Sequence, residues 1–77
     1  MGVISLKDAK AGKSYVIRSI TPANDTQKRL IKMGFTKNTA LTMCDRAPFG
    51  DPIWVFLRGS YISLRLSDAE MIGVEEI

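Results

Sequence analysis

The chain has no histidine and one cysteine, Cys44, among its 77 residues. Without imidazole the usual acid–base group near neutral pH is missing, and a serine or thiol nucleophile lacks its common activator. Cys44 has no partner for an intrachain disulfide, which fits a reducing compartment, and its place inside a predicted strand reads as packing rather than reactivity. One thiol and no imidazole make a poor donor set for a transition metal. The remaining carboxylates are scattered, and Glu75 and Glu76 would point to opposite faces of a strand. No glycine-rich phosphate loop or dinucleotide fingerprint occurs. The expectation is therefore no catalytic residue, no metal-ligand set and no cofactor.

Long apolar runs are also missing, since none approaches the roughly 20 residues that span a bilayer. Charges begin too early in MGVISLKDAK for a secretory signal, and Leu6 stands where a myristoylation pattern needs Ser or Thr. These absences predict a soluble, cytoplasmic protein forming a single domain over residues 1–77. A chain this short hides only about 60% of its unfolded surface, so the core must be thin.

What is present is an ordinary globular composition, 45% hydrophobic and 25% charged, with a lopsided charge. Residues 1–37 hold eight Lys and Arg against Asp8 and Asp25, a net +6, whereas residues 38–77 carry −3. Such a basic half is either a solvated face or an attraction for an acidic partner, a lipid surface or nucleic acid.

Ser5 with Asp8 has the spacing of a capping box, and Gly12 suits the end of the turn it opens. Tyr15 to Ile20 reads as a strand, broken by Thr21, Pro22 and Ala23. Asn24 then caps a helix that runs to about Met33 and stops at Gly34, with Phe35 placed for a Schellman contact with Leu30. Thr36 to Asn38 form a turn in which Asn38 tolerates positive φ. From Thr39 to Arg46 a strand alternates, Leu41 and Met43 on one face, Ala40, Thr42 and Cys44 on the other. Pro48 to Pro52 form a stiff loop. SDAE at Ser67 to Glu70 has the form of a second capping box, opening a turn that ends at Gly73. Val74 to Glu76 supply a last short strand. The order predicts a mostly β fold, a small antiparallel barrel of about five strands. One short helix lies between the first two strands, and short helical turns lie near both ends.

Ile53 to Arg58 and Tyr61 to Arg65 are separated by Gly59 and Ser60, a type II′ hairpin signal. That turn sets Arg58 opposite Tyr61, Leu57 opposite Ile62, Val55 opposite Leu64 and Trp54 opposite Arg65. Aliphatic side chains then share one face, while Trp54, Phe56 and Tyr61 share the other. Phe56 and Tyr61 become diagonal neighbours, and Trp54 gains a cation–π partner in Arg65. Two readings of the aromatic face stand side by side: a neighbouring loop or the basic helix covers it, or it is a docking patch. The APFGDP loop likewise reads as a rigid turn, or as one that presents Phe49 to a partner pocket.

RLIKMGF at Arg29 to Phe35, APFGDPI at Ala47 to Ile53 and RGSYISLR at Arg58 to Arg65 resemble the ferrous iron transport protein A family of FeoA-like domains. The resemblance covers nearly the whole chain, from about Leu6 to Glu76. It departs from the family's pattern at Asn38, where glycine is frequent, and at Trp54 and Phe56, where polar residues are frequent. It implies an SH3-like small barrel that assists a membrane ferrous iron permease carrying a GTP-binding domain. Similar domains end iron-dependent repressors, but no DNA-binding domain precedes this one, so a free-standing accessory is expected.

The reading is a non-enzymatic accessory or regulatory protein of ferrous iron uptake. Phe49, Trp54, Phe56 and Tyr61 are the expected partner contacts, and Lys28, Arg29 and Lys32 orient the protein toward the permease's cytosolic domain or the acidic membrane surface. Self-association is compatible with this and nucleic acid is not expected as a partner. Two alternatives are a basic-barrel nucleic-acid binder that stacks bases on its aromatics, and an iron-binding chaperone whose carboxylates gather in a dimer.

Overall fold

Apolar alternation in the second half of the chain sets the architecture, because every second strand residue must leave water together. The structure is a computed structural model that describes residues 2–21 and 24–77. Six strands form one antiparallel sheet: β1 (Ile4–Ser5), β2 (Ser14–Ile20), β3 (Ala40–Arg46), β4 (Ile53–Leu57), β5 (Ser60–Leu64) and β6 (Ile72–Glu76). Their spatial order is β1-β6-β2-β3-β4-β5, so the sheet curls into a barrel-like form without closing. A 3₁₀ turn (Leu6–Asp8), a helix α1 (Asn24–Lys32) and a short helix α2 (Leu66–Ala69) complete it. The five longer strands and the placement of the helical pieces match the predicted small barrel, with two-residue β1 added at one edge.

The core is drawn from every element except β1. Leu6, Tyr15, Ile17, Leu30, Phe35, Leu41, Met43, Ile53, Val55, Leu57, Leu64, Ile72 and Val74 are all buried. Each such aliphatic side chain contributes about 1.5–3 kcal/mol by leaving water. Val55 and Leu64 lie inside and Trp54 outside, as the predicted faces require.

The end of α1 is a complete Schellman motif. Phe35 N donates to Leu30 O (3.0 Å) and Gly34 N to Ile31 O (3.0 Å), with Gly34 at φ 107. Both Phe35 and Leu30 are buried, so the predicted apolar contact closes the motif. Asn38 takes φ 71 in the following turn, as anticipated. The predicted helix breaker and N-cap fall on Pro22, Ala23 and the Asn24 side chain, which lie outside the described residues.

Local capping departs from prediction at three places. Ser5 Oγ accepts from Lys7 N at 3.3 Å, but the turn ends at Ala9 rather than Gly12. Gly12 instead donates its N–H to Met43 O at 2.7 Å, in the turn that leads into β2. SDAE is not a capping box: Ser67 is already helical, Arg65 is the cap residue, and its side chain caps nothing. The free N–H of Leu66 is met by Asp51 Oδ1 at 3.0 Å, from a loop 15 positions away in sequence. Gly73 lies within β6, because pairing with Ser5 and Ser19 draws the strand back to Ile72. Asp51→Ala is expected to destabilise the protein by about 1 kcal/mol, and Asp51→Asn by less because its amide oxygen still accepts. Thermal melts of the two variants measure the difference.

The β4–β5 hairpin shows the main correction. Its turn is Arg58-Gly59, not Gly59-Ser60, with φ 50 and φ 82. Two positive φ angles are the type I′ pattern, and Gly59 takes its second position. Moving the turn by one residue moves each cross-strand partner by two. Leu57 therefore faces Ser60, Phe56 faces Tyr61, Val55 faces Ile62, Trp54 faces Ser63 and Ile53 faces Leu64. A shift of two keeps every side chain on its predicted face, although it changes every predicted pair. Arg58 accepts the left-handed conformation, which costs a non-glycine residue about 1 kcal/mol. Its aliphatic stem lies over Gly34 and its Nη2 reaches Thr36 Oγ1 at 3.5 Å.

Candidate interaction surface

The outward face of β4 and β5 follows from strand alternation and the hairpin turn. Trp54 is 43% exposed, Phe56 38% and Tyr61 73%, so neither a loop nor α1 covers them. The corrected register makes Phe56 and Tyr61 direct cross-strand partners. Their ring centroids are 4.9 Å apart in an edge-on arrangement with an interplanar angle of 64°. Such pairs add about 0.5–1.5 kcal/mol beyond area burial and hold both rings in place. Trp54 stands opposite Ser63, so the predicted Trp54–Arg65 cation–π register is not formed; Arg65 has moved on to begin α2.

Beside this face runs a groove of about 270 Å³, lined by Ser14, Ala40, Leu41, Thr42, Phe56, Arg58 and Ile77. Its floor is held by the Ser14 and Thr42 hydroxyls, 3.2 Å apart across β2 and β3. A second groove, of about 260 Å³, lies between α1 and β2, with Ile20 and Ile31 on its walls.

β3 carries a bulge that alternation alone did not reveal. Met43 faces Val55 and Asp45 faces Trp54, so Cys44 is the extra residue. The bulge reverses the alternation beyond it. Asp45 comes to the register position opposite Trp54, and Arg46 turns toward the 3₁₀ turn. There its Nη2 donates to Lys7 O at 2.7 Å and Ala9 O at 2.6 Å, tying the N-terminal turn to β3. The outer face therefore offers a carboxylate next to the indole, which a simple period of two would have replaced with the Cys44 thiol.

The loop from Ala47 to Pro52 is braced at both ends. Gly50 N donates to Ala47 O at 2.7 Å, Ala47 N to Pro52 O at 3.0 Å, and Asp51 caps α2. At its tip Phe49 is 99% exposed, so a rigid turn carries an apolar ring wholly in water. The Asp51–Pro52 peptide is cis.

On α1, Lys28, Arg29 and Lys32 are exposed, but they are not equivalent. Arg29 Nη2 pairs with Asp68 Oδ2 at 3.0 Å, and this buried aspartate belongs to α2. Arg29 thus joins two helical pieces, whereas Lys28 and Lys32 enter none of the ion pairs among the described residues. Lys13 and Arg18 are matched with Glu76 and Glu75 at 3.1 and 2.8 Å, which neutralises part of the basic half. Among the described residues no group of three or more Cys, Asp or Glu side chains is gathered as a metal site. Among the described residues no helix is long and apolar enough to cross a membrane.

Comparison with known proteins gives a consistent relationship. The FeoA domain profile matches residues 4–76. A Fe(2+) transport protein A/Fe(2+) transporter FeoB fusion protein of Porphyromonas gingivalis is 32% identical over 72 residues, covering 94% of this chain. The chain spans only 8% of that fusion protein's length. The solution structure of a FeoA-like protein from Clostridium acetobutylicum superposes with a TM-score of 0.92 at 31% identity, covering all of this chain and 90% of that one. A zinc complex of Stenotrophomonas maltophilia FeoA superposes with a TM-score of 0.82 at 29% identity, covering 94% of this chain and 89% of that one. That protein is described as a prokaryotic SH3 domain protein proposed to act as a ferrous iron transport activating factor.

Proposed function

The chain belongs to the FeoA domain family, and from that premise we propose that it is a non-enzymatic, cytosolic accessory of ferrous iron uptake that docks on the GTP-binding domain of the membrane permease. The observation that carries the reading is the uncovered aromatic face of the β4–β5 hairpin. Three rings, one of them 73% exposed, stand on one side of a sheet beside a groove of about 270 Å³. Exposed aromatic clusters of this kind are the usual anchors of protein interfaces. The fused relative from Porphyromonas gingivalis supports the choice of partner, since a single chain there holds the two parts together.

In this arrangement Trp54, Phe56 and Tyr61 supply the anchoring area, and Phe49 extends the contact from its braced loop. Lys28 and Lys32 raise the encounter rate with an acidic partner surface or with anionic lipid beside the permease. Arg29 serves mainly to hold α1 to α2. A nucleic-acid role is less well supported, because stacked bases want cations beside the rings, and the bulge sets Asp45 opposite Trp54 instead.

Titration calorimetry of this chain against the soluble GTP-binding domain of a ferrous iron permease tests the proposal. Saturable binding that weakens with added salt is the expected result. No heat at high concentration and low salt would overturn it.

A further inference from the structure

The outer face of β3, β4 and β5 carries two charges, and they stand at opposite ends of it. Phe56 belongs to a row of outward residues that crosses the sheet: Ser14 faces Thr42, Thr42 faces Phe56, and Phe56 faces Tyr61. Two residues before Phe56 comes Trp54, with Asp45 opposite it on β3. Two residues after Phe56 comes Arg58, whose side chain walls the groove beside Phe56 together with Ala40 and Thr42. At ordinary strand rise each charge lies about 7 Å from the row, on opposite sides.

Neither charge is matched within the chain. Asp45 and Arg58 are both exposed and enter none of the ion pairs among the described residues. Asp45 Oδ1 accepts from the neighbouring Arg46 N at 2.7 Å, and Oδ2 is left to solvent. Arg58 Nη2 makes one long bond, 3.5 Å to Thr36 Oγ1, so most of the five guanidinium N–H donors are unspent. Arg58 also holds the first position of a type I′ turn at φ 50, where Asn, Asp or Gly is less strained. Strain retained at an exposed position points to a use for the side chain that occupies it.

A face with a cation at one end, rings in the middle and an anion at the other is complementary to its own reversed copy. A two-fold axis lying along the Phe56–Tyr61 row turns the face end for end. Arg58 of one copy then meets Asp45 and the Trp54 indole of the other, and the same contact repeats at the opposite end. Phe56 and Tyr61 meet their own counterparts on the axis. We propose that two copies of the chain pair through this face as a symmetric dimer. A foreign partner would have to bring a base and an acid in reverse order at this spacing, whereas a second copy brings them by symmetry. Docking on the permease uses the same rings, so the dimer withholds them from it. That consequence rests on the docking reading; the dimer does not.

The test is sedimentation equilibrium of the full chain from micromolar to millimolar concentration. The mean mass is expected to climb from 8.5 kDa toward twice that value. Arg58→Asp and Asp45→Arg each set like charges against one another at both ends, and each should weaken association about tenfold or more. Asp-Gly is itself a favoured type I′ pair, so the first variant keeps its hairpin turn. Carrying both swaps restores opposite charges, and the double variant should associate within about threefold of the parent. In a mixture of labelled and unlabelled protein, isotope-filtered NOEs should join the Trp54 ring of one copy to the Arg58 side chain of the other. A mass that stays at 8.5 kDa at millimolar protein overturns the proposal. So does association that the single swaps leave unchanged or that the double swap fails to restore. Heat with the permease domain from a chain that stays monomeric removes the dimer and keeps the docking reading; a dimer that gives no heat does the reverse.

Discussion

Gly34→Ala is expected to lower the melting temperature by roughly 10–20 °C, corresponding to about 2–3 kcal/mol for a domain of this size. Two costs combine at this position. Gly34 ends α1 at φ 107, a conformation that costs an L-residue about 1–2 kcal/mol. A Cβ placed there would also lie 3.2 Å from both Leu57 Cδ2 and Arg58 Cδ, tighter than ordinary van der Waals contact. Leu57 is a buried core residue whose side chain has little room to shift, so its contact cannot be relieved as easily as that of the exposed Arg58 stem. Gly59→Ala is the control. It shares the sign of φ, at 82, but a Cβ there meets nothing within 4 Å. Its loss should be limited to backbone strain, about 1 kcal/mol. Thermal melts of the two variants separate strain from contact; equal losses would show that the approach of Gly34 to the hairpin contributes nothing.

The same contact explains why the sequence was legible in one respect and not in another. Alternation between Ile53 and Leu64 decides which side chains are buried, and that parity survives any turn shift that moves partners by two. The faces, the Schellman ending at Gly34 and Phe35, and the left-handed Asn38 are local properties and could be read locally. The hairpin register could not. Gly-Ser is a sound II′ signal, and an arginine at positive φ looks unfavourable until its stem is seen lying across Gly34, far away in sequence.

The bulge at Cys44 was hidden for a similar reason. Nothing in TMCDR announces an extra residue, and its compensation is Arg46 reaching the Lys7 and Ala9 carbonyls on the other side of the fold. The helix cap supplied by Asp51 is equally non-local, so the SDAE pattern drew attention to residues that were already helical. Of the candidate contacts, the outward placement of Trp54, Phe56 and Tyr61 was readable from parity. Their lack of cover was not, because it depends on where the loop and α1 pack.

Replacing Trp54 and Phe56 together by alanine is expected to weaken binding to the permease's soluble GTP-binding domain by about a hundredfold or more, since central aromatic anchors commonly cost about 2 kcal/mol each. Stability should respond far less. Both side chains are exposed, and the main loss is the edge-on contact of Phe56 with Tyr61, about 1 kcal/mol or roughly 5 °C in melting temperature. Val55→Ala gives the opposite pattern from the neighbouring position on the same strand. Val55 is fully buried, so truncation removes core packing worth about 2–3 kcal/mol, while the folded fraction keeps its outer face and its affinity. Adjacent residues on β4 thus separate docking from folding, with alternation alone deciding which property each one controls. The pair is read by calorimetric binding and thermal unfolding on the same samples. If the aromatic double variant melts as far below the parent as Val55→Ala yet binds unchanged, the rings are structural cover and the docking face lies elsewhere.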